Sequence, residues 1–250
     1  MLHCKGQHKT HISQRATLWY SPGAIPQQAI VDPRRLLSTD RPTHIVTINN
    51  HDIHGTTRVK YLGTWIDASG SNLPDIEARI GSAYKAMGGL QRLWTSKVAR
   101  IWFKAQLFKT IIVPILIYGS GHWTPTTSEM HRITTAYHKM ARRASGLGGV
   151  EVAPGVWHTR SATEVRHTMH LATMHDILRE ERLRLSKQIW GLQQGNLLHA
   201  LHACERHTRR GPHHDCWVLW TQRDMIEVGL TEADRDNSAV WMKLSKAPKP

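Results

Sequence analysis

From Leu73 to Leu147 apolar side chains return every three or four residues in three successive stretches, each bounded by helix-ending signals. Packed helices are what satisfies that rhythm. In the first stretch Ile76, Ile80, Ala83, Met87, Leu90 and Trp94 fall within an arc of roughly 80°, one stripe about five turns long. The loop "ASGSNLPD" before it offers Ser71 or Asn72 as N-cap, Pro74 near the first turn, and Asp75 and Glu77 where the helix dipole favours acids. Gly88 and Gly89 weaken this helix by about 1 kcal/mol each relative to alanine and mark a close crossing or a break.

Ser96 is positioned to cap the second helix, with Val98, Ile101, Trp102, Ala105, Phe108 and Ile112 on one face until Pro114 kinks or ends it. The apolar run "IIVPILIYG", Ile111 to Gly119, reads as a buried core element, because it is half the roughly 20 residues that a membrane helix needs. Thr126 and Glu129 have capping-box spacing and open the third helix, which turns Met130, Ile133, Ala136, Tyr137 and Met140 to one side and stops at "SGLGG".

Upstream the period is two rather than 3.6. Ile45 and Ile48 lie in a β-prone run, "NNHDIHG" supplies turn residues, and "RVKYLGTWID" places Val59, Tyr61 and Trp65 on alternate positions, giving a β-hairpin or small meander. Earlier residues are irregular, with one strand expected around "RATLWY". Beyond "GGVEVAPG" a second helical region runs through "SATEVRHTMHLATMHDILREERLRLSKQIWGL", interrupted near His170, and further helices are expected around "DCWVLWTQRDMIEVGL" and "DRDNSAVWMKL". The fold class is therefore α+β, mainly α: a small N-terminal β-hairpin or meander, a basic three-helix bundle and a second helical region, with domains at 1–67, 68–149 and 150–250.

Charge is concentrated in the bundle. The formal net charge is +14, and between Arg79 and Arg143 stand eleven Lys or Arg residues and one acid, Glu129. The pI near 10.1 is the footprint of a chain that binds phosphate backbones. In the second helix Lys97, Arg100 and Lys104 share an arc of about 60° beside the apolar face. In the third, Arg132, Lys139, Arg142 and Arg143 lie opposite it. Solvated helix faces usually mix signs and gain from i, i+4 pairs, so two basic faces without acids read as walls of a groove for RNA, DNA or their hybrid. Trp94, Trp102 and Trp123 sit at core positions and read as packing residues rather than base-stacking ones.

Polymerase or nuclease chemistry needs converging carboxylates around divalent ions, and the sequence has no adjacent Asp pair. It has no glycine-rich phosphate loop ending in Lys-Ser or Lys-Thr, no G-x-S-x-G and no H-E-x-x-H. No catalytic residue and no cofactor is expected. Cys204, His207, His213, His214 and Cys216 offer enough ligands for zinc, but their spacing matches no common finger, and they are weak metal candidates. Three cysteines, an odd number without a secretory segment, read as a reduced, intracellular protein.

The segments "VKYLGTWID", "DIEARIGSAYKAMGGLQRLW", "KAQLFKTIIVPILIYGSGHWT" and "MHRITTAYHKMARRASGL" together resemble the stretch that follows the catalytic palm in non-LTR (LINE-like) retrotransposon reverse transcriptases. The matching residues are Tyr61, Leu62 and Gly63, then Arg79 and Ile80, then Tyr118, Gly119 and Trp123. Arg210, Gly211 and Pro212 stand in a different order from that family's Gly-Arg-Pro tail. The resemblance implies a palm-edge hairpin, a thumb of basic helices that grips a template–primer duplex, and a C-terminal helical region, in a non-catalytic fragment that lacks the catalytic aspartates. It also implies a nuclear location. An autonomous basic helical nucleic-acid-binding or scaffold protein is the alternative.

Overall fold

The computed structural model describes residues 28–30, 44–48, 51–147, 149–192, 196, 217–235 and 237–246, and the chain divides into two units, Met1–Pro74 and Asp75–Pro250. The strand expected around "RATLWY" lies outside the described residues.

In the first unit β1 (Gln28–Ile30) pairs parallel to β3 (His51–Thr56), which pairs antiparallel to β2 (His44–Ile48). His51 to Gly55, expected as turn residues, thus form most of a strand: the ladder with β2 overrides their turn propensity. The stretch "RVKYLGTWID" folds back on itself as a hairpin, β4 (Arg58–Tyr61) against β5 (Thr64–Asp67), with Arg58 opposite Asp67 and Tyr61 opposite Thr64. Leu62 and Gly63 both take positive φ, 46° and 89°, the conformation whose twist suits a two-residue hairpin turn. Arg58 Nε donates to Asp67 Oδ2 at 2.7 Å across the open end. Burial works against the Asp67 carboxylate, but the Ser69 hydroxyl and amide and the Arg58 guanidinium outweigh it and hold the carboxyl below its ordinary range.

Several helix ends follow the sequence pattern, while the second helix starts later than Ser96 as N-cap would place it. α1 (Leu73–Gly89) opens with the Leu73 amide bonded to Ser71 Oγ and stops at the glycine pair; Leu90 separates it from the short α2 (Gln91–Thr95). α3 (Ile101–Leu107) runs into a π-turn, Phe108–Ile112, and then α4 (Val113–Leu116). Pro114 has no N–H for the carbonyl one turn back and its ring presses on that turn, so the backbone widens just ahead of it. A 3₁₀ turn at Ser120–His122 leads to α5 (Thr127–Ser145). The Thr126–Glu129 capping box is formed in both directions, and Gly146, φ 71°, ends the helix.

The second hairpin, β6 (Val150–Ala153) with β7 (Val156–His158), was not expected from the sequence. α6 (Ala162–Thr168) follows with its own capping box, Ser161 with Glu164. His170, φ 49°, makes the expected break before α7 (Met174–Trp190). α8 (Trp217–Val228) and α9 (Ser238–Leu244) complete the described chain.

One apolar core runs through this unit, from Ile76, Ala83 and Met87 on α1, through Phe108, Ile112 and Leu116, to Ile133, Tyr137 and Met140 on α5 and on to Val165 and Leu178. Side chains of that size contribute about 1.5–3 kcal/mol each when fully buried. Burial pushes the Tyr137 phenol far above its ordinary range, so it stays a neutral donor and bonds the Ala172 carbonyl at 3.0 Å, tying α5 to the loop before α7. A second, smaller cluster of Leu183, Met225, Leu230 and Trp241 packs α8 and α9 on α7.

Candidate nucleic-acid interface

The seven basic residues expected at the interface divide into four groups. Lys97 and Arg100 do not stand on a helix: α3 begins at Ile101, with Arg100 as its extended N-cap, so Ser96 caps no helix that carries them. Both are exposed on the connection between α2 and α3. Lys104 points inward. It is buried, and its ammonium donates to the Trp94 carbonyl at 2.8 Å, satisfying the end of α2.

Lys104 thereby exchanges places with two residues assigned to the core. Val98 and Trp102 are exposed, while Ala105, Phe108 and Ile112 are buried as expected. The buried face of α3 is turned by about 50° from the sequence stripe, toward Lys104 and away from Trp102. Replacing Lys104 with Met is expected to cost about 1–3 kcal/mol, since the Trp94 carbonyl loses its charged donor. Urea unfolding reads this directly, and a Lys104→Met midpoint equal to the wild type would put the ammonium back in solvent.

On α5, Arg132, Lys139 and Arg143 lie within about 40° of one another at 100° per residue and all are exposed. Arg132 reaches Glu77 on α1 at 2.6 Å. Arg143 donates through Nε and Nη2 to Gln91 Oε1 at 3.0 and 2.5 Å. The start of α1 therefore faces the start of α5, and the segment after α1 faces its end. Arg142 turns aside and donates to the Arg160 carbonyl at 3.2 Å, a half-buried structural role. Burial first, then the Arg166 and Arg142 charges, hold the adjacent His138 imidazole below its ordinary range, so it adds no charge near neutrality.

Apart from Glu77 on Arg132, acids do not balance these cations. No Asp or Glu occurs from Ala78 to Ser128, and Glu129 is spent in the capping box, its Oε2 accepting from the Thr126 amide at 2.8 Å. Lys85, Arg92, Lys97, Arg100 and Lys139 are exposed and form no ion pair among the described residues. Such a surface can neutralise phosphates and release their counterions, with no means to read a base sequence by itself.

Arg79, Tyr118, Gly119 and Trp123, four of the residues that carry the resemblance, meet elsewhere in the second unit. Asp75, at the start of α1, is buried and accepts from Trp123 Nε1 at 3.0 Å and from Arg79 Nη2 at 3.3 Å. The Arg79 guanidinium lies over the Tyr118 ring, 4.6 Å from its centroid. Gly119, φ 75°, makes the left-handed turn that brings Trp123 round. This constellation fastens α1 to the segment between α4 and α5. Asp75 itself was read only as a dipole-favoured acid, and its partner 48 residues away leaves no local signal.

Cys204, His207, His213 and Cys216, the weak metal candidates, lie outside the described residues. Among the described residues no three His, Cys, Asp or Glu side chains are grouped to hold a metal ion. Nor is any described helix long and apolar enough to cross a membrane.

Over 87 residues the chain is 30% identical to a protein of Caenorhabditis elegans described as putative, uncharacterized and transposon-derived. The match covers 35% of this chain and 31% of that protein, so the chain spans about a third of its relative's length. No family model matches the sequence, and no solved structure matches it.

Proposed function

We propose that the chain is the post-palm part of a LINE-like reverse transcriptase, and that it grips template–primer nucleic acid without carrying out the polymerase chemistry. The exposed cations Lys85, Arg92, Lys97 and Arg100, on the stretch without acids from Ala78 to Ser128, continued by Lys139 and Arg143 on α5, carry this reading. The meeting of Arg79, Tyr118 and Trp123 around the buried Asp75 supports it, because it gives these residues of the resembling motif one common structural purpose. Similarity to a transposon-derived protein fits the same origin.

The contacts proposed are to phosphates: Lys97 and Arg100 on one side, Arg132, Lys139 and Arg143 on the other. Lys104 and Arg142 hold the helices that present them. An RNA–DNA hybrid titrated by fluorescence anisotropy tests this. Affinity is expected to fall steeply with salt, and each phosphate contact removed by alanine is expected to reduce the log–log slope by about 0.9. Changing Lys97, Arg100, Lys139 and Arg143 together should flatten the slope by about 3–4. Affinity that hardly changes between low and moderate salt would defeat the phosphate grip.

A further inference from the structure

Trp102 is 64% exposed, and it stands in the first turn of α3 beside Val98 at 91% and Phe103 at 40%. Its ring meets the Phe103 ring edge-on, with centroids 5.9 Å apart, so the indole is braced rather than loose. Lys97 and Arg100 precede it in the chain by five and two residues, both exposed. The nearest acids in sequence are Glu77 and Glu129. Exposed aromatic surface costs solvation free energy, and a braced indole among cations with no carboxylate near in sequence offers a π-face together with phosphate neutralisation.

Unpaired nucleotides present that complement: a base to stack and flanking phosphates to pair. A protein partner would ordinarily be met by a surface of mixed sign. Among the described residues the other strongly exposed tryptophan, Trp157 at 67%, has such a surface: Glu151 stands opposite it in the β6–β7 register. We infer that Trp102 is a stacking platform for an unpaired base, with Lys97 and Arg100 holding the adjacent phosphates of a single-stranded segment. The inference rests on the proposed nucleic-acid grip and deepens it: Lys97 and Arg100 hold phosphates of whichever strand lies at the α2–α3 connection, and Trp102 adds stacking where that strand is unpaired.

Three probes separate the two ideas: a short single-stranded oligonucleotide, a blunt RNA–DNA hybrid, and that hybrid with a single-stranded overhang. In the full chain Trp102→Ala is expected to lose about 5- to 100-fold in affinity for the single strand and for the overhang's added affinity. Trp102→Phe should keep most of it, because a ring remains. The blunt hybrid should bind Trp102→Ala as it binds the wild type, with the same salt slope. Since Trp102 is mostly outside the core, the variant's melting curve should match the wild type.

Unchanged single-strand affinity in Trp102→Ala would overturn the platform while leaving the duplex grip standing. A wild-type dimer that Trp102→Ala dissociates, with no change in oligonucleotide binding, would likewise overturn it, since the face would then belong to a second copy. Salt-insensitive binding of the blunt hybrid by the wild type would instead defeat the grip, and the single-strand titration would still judge Trp102.

Discussion

Asp224→Ala is expected to cost about 3–5 kcal/mol of stability, because it strands a guanidinium that has no access to water. Arg182 is 0% exposed, and it donates to both Asp224 oxygens, through Nε at 2.6 Å and Nη2 at 2.9 Å, while lying 4.9 Å from the centroid of the Trp220 ring. Asp224 is 2% exposed, and burial pushes its carboxyl upward while the Arg182 guanidinium on both oxygens pulls it down. The double change Arg182→Met with Asp224→Leu removes both charges and is expected to be close to neutral or stabilising. Thermal and urea melts of the single and double variants decide it. If Asp224→Ala melted within a degree or two of the wild type, Arg182 would have to find water or another acid.

Trp123→Ala is expected to be of similar size, about 3–5 kcal/mol, for a different reason. The indole is fully buried, so its loss opens a cavity between α1 and the segment before α5, and it also removes a donor from the buried Asp75 carboxylate. Trp123→Phe isolates the second effect: most of the volume stays, and losing the hydrogen bond alone should cost about 1–3 kcal/mol. In a double-mutant cycle with Asp75→Leu, which leaves no acceptor, the two sites should couple by about 0.5–3 kcal/mol. Additive behaviour would mean that the carboxylate and the indole merely sit near each other.

The parts of this architecture that were legible in the sequence are those with local causes. The capping box at Thr126 and Glu129, the stop at Gly146, the weak point at Gly88 and Gly89 and the break at His170 each depend on a few neighbouring residues. Exchange of Lys104 for Trp102 was not legible, because both stand near the edge of the same stripe and only the Trp94 carbonyl, ten residues away, decides between them. The β6–β7 hairpin did leave a signal, a Pro-Gly pair between "VEVA" and "VWH", which the helical rhythm on either side hides. Arg182 and Asp224 left none. Charged residues on amphipathic helices are normally outside, and their partnership spans 42 positions. The exposed cations of α5 were readable from spacing, whereas Arg142's turn toward the Arg160 carbonyl depends on tertiary contacts.

The small 3₁₀ turn at Ser120–His122 bears on the order in which the chain can assemble. Trp123, next to it, closes a 48-residue loop to Asp75, and Trp217 Nε1 reaches the Gly121 carbonyl at 2.6 Å across 96 residues. A Cβ on Gly121 would lie 3.1 Å from Leu185 Cβ and 3.2 Å from the Glu181 carbonyl, so α7 also seats against this turn at close range. Helices form in about a microsecond or less, but loops of this length must pay closure entropy before their contacts reward it. Completion of this largely helical unit therefore depends on non-local contacts gathered at one short turn as well as on its helices.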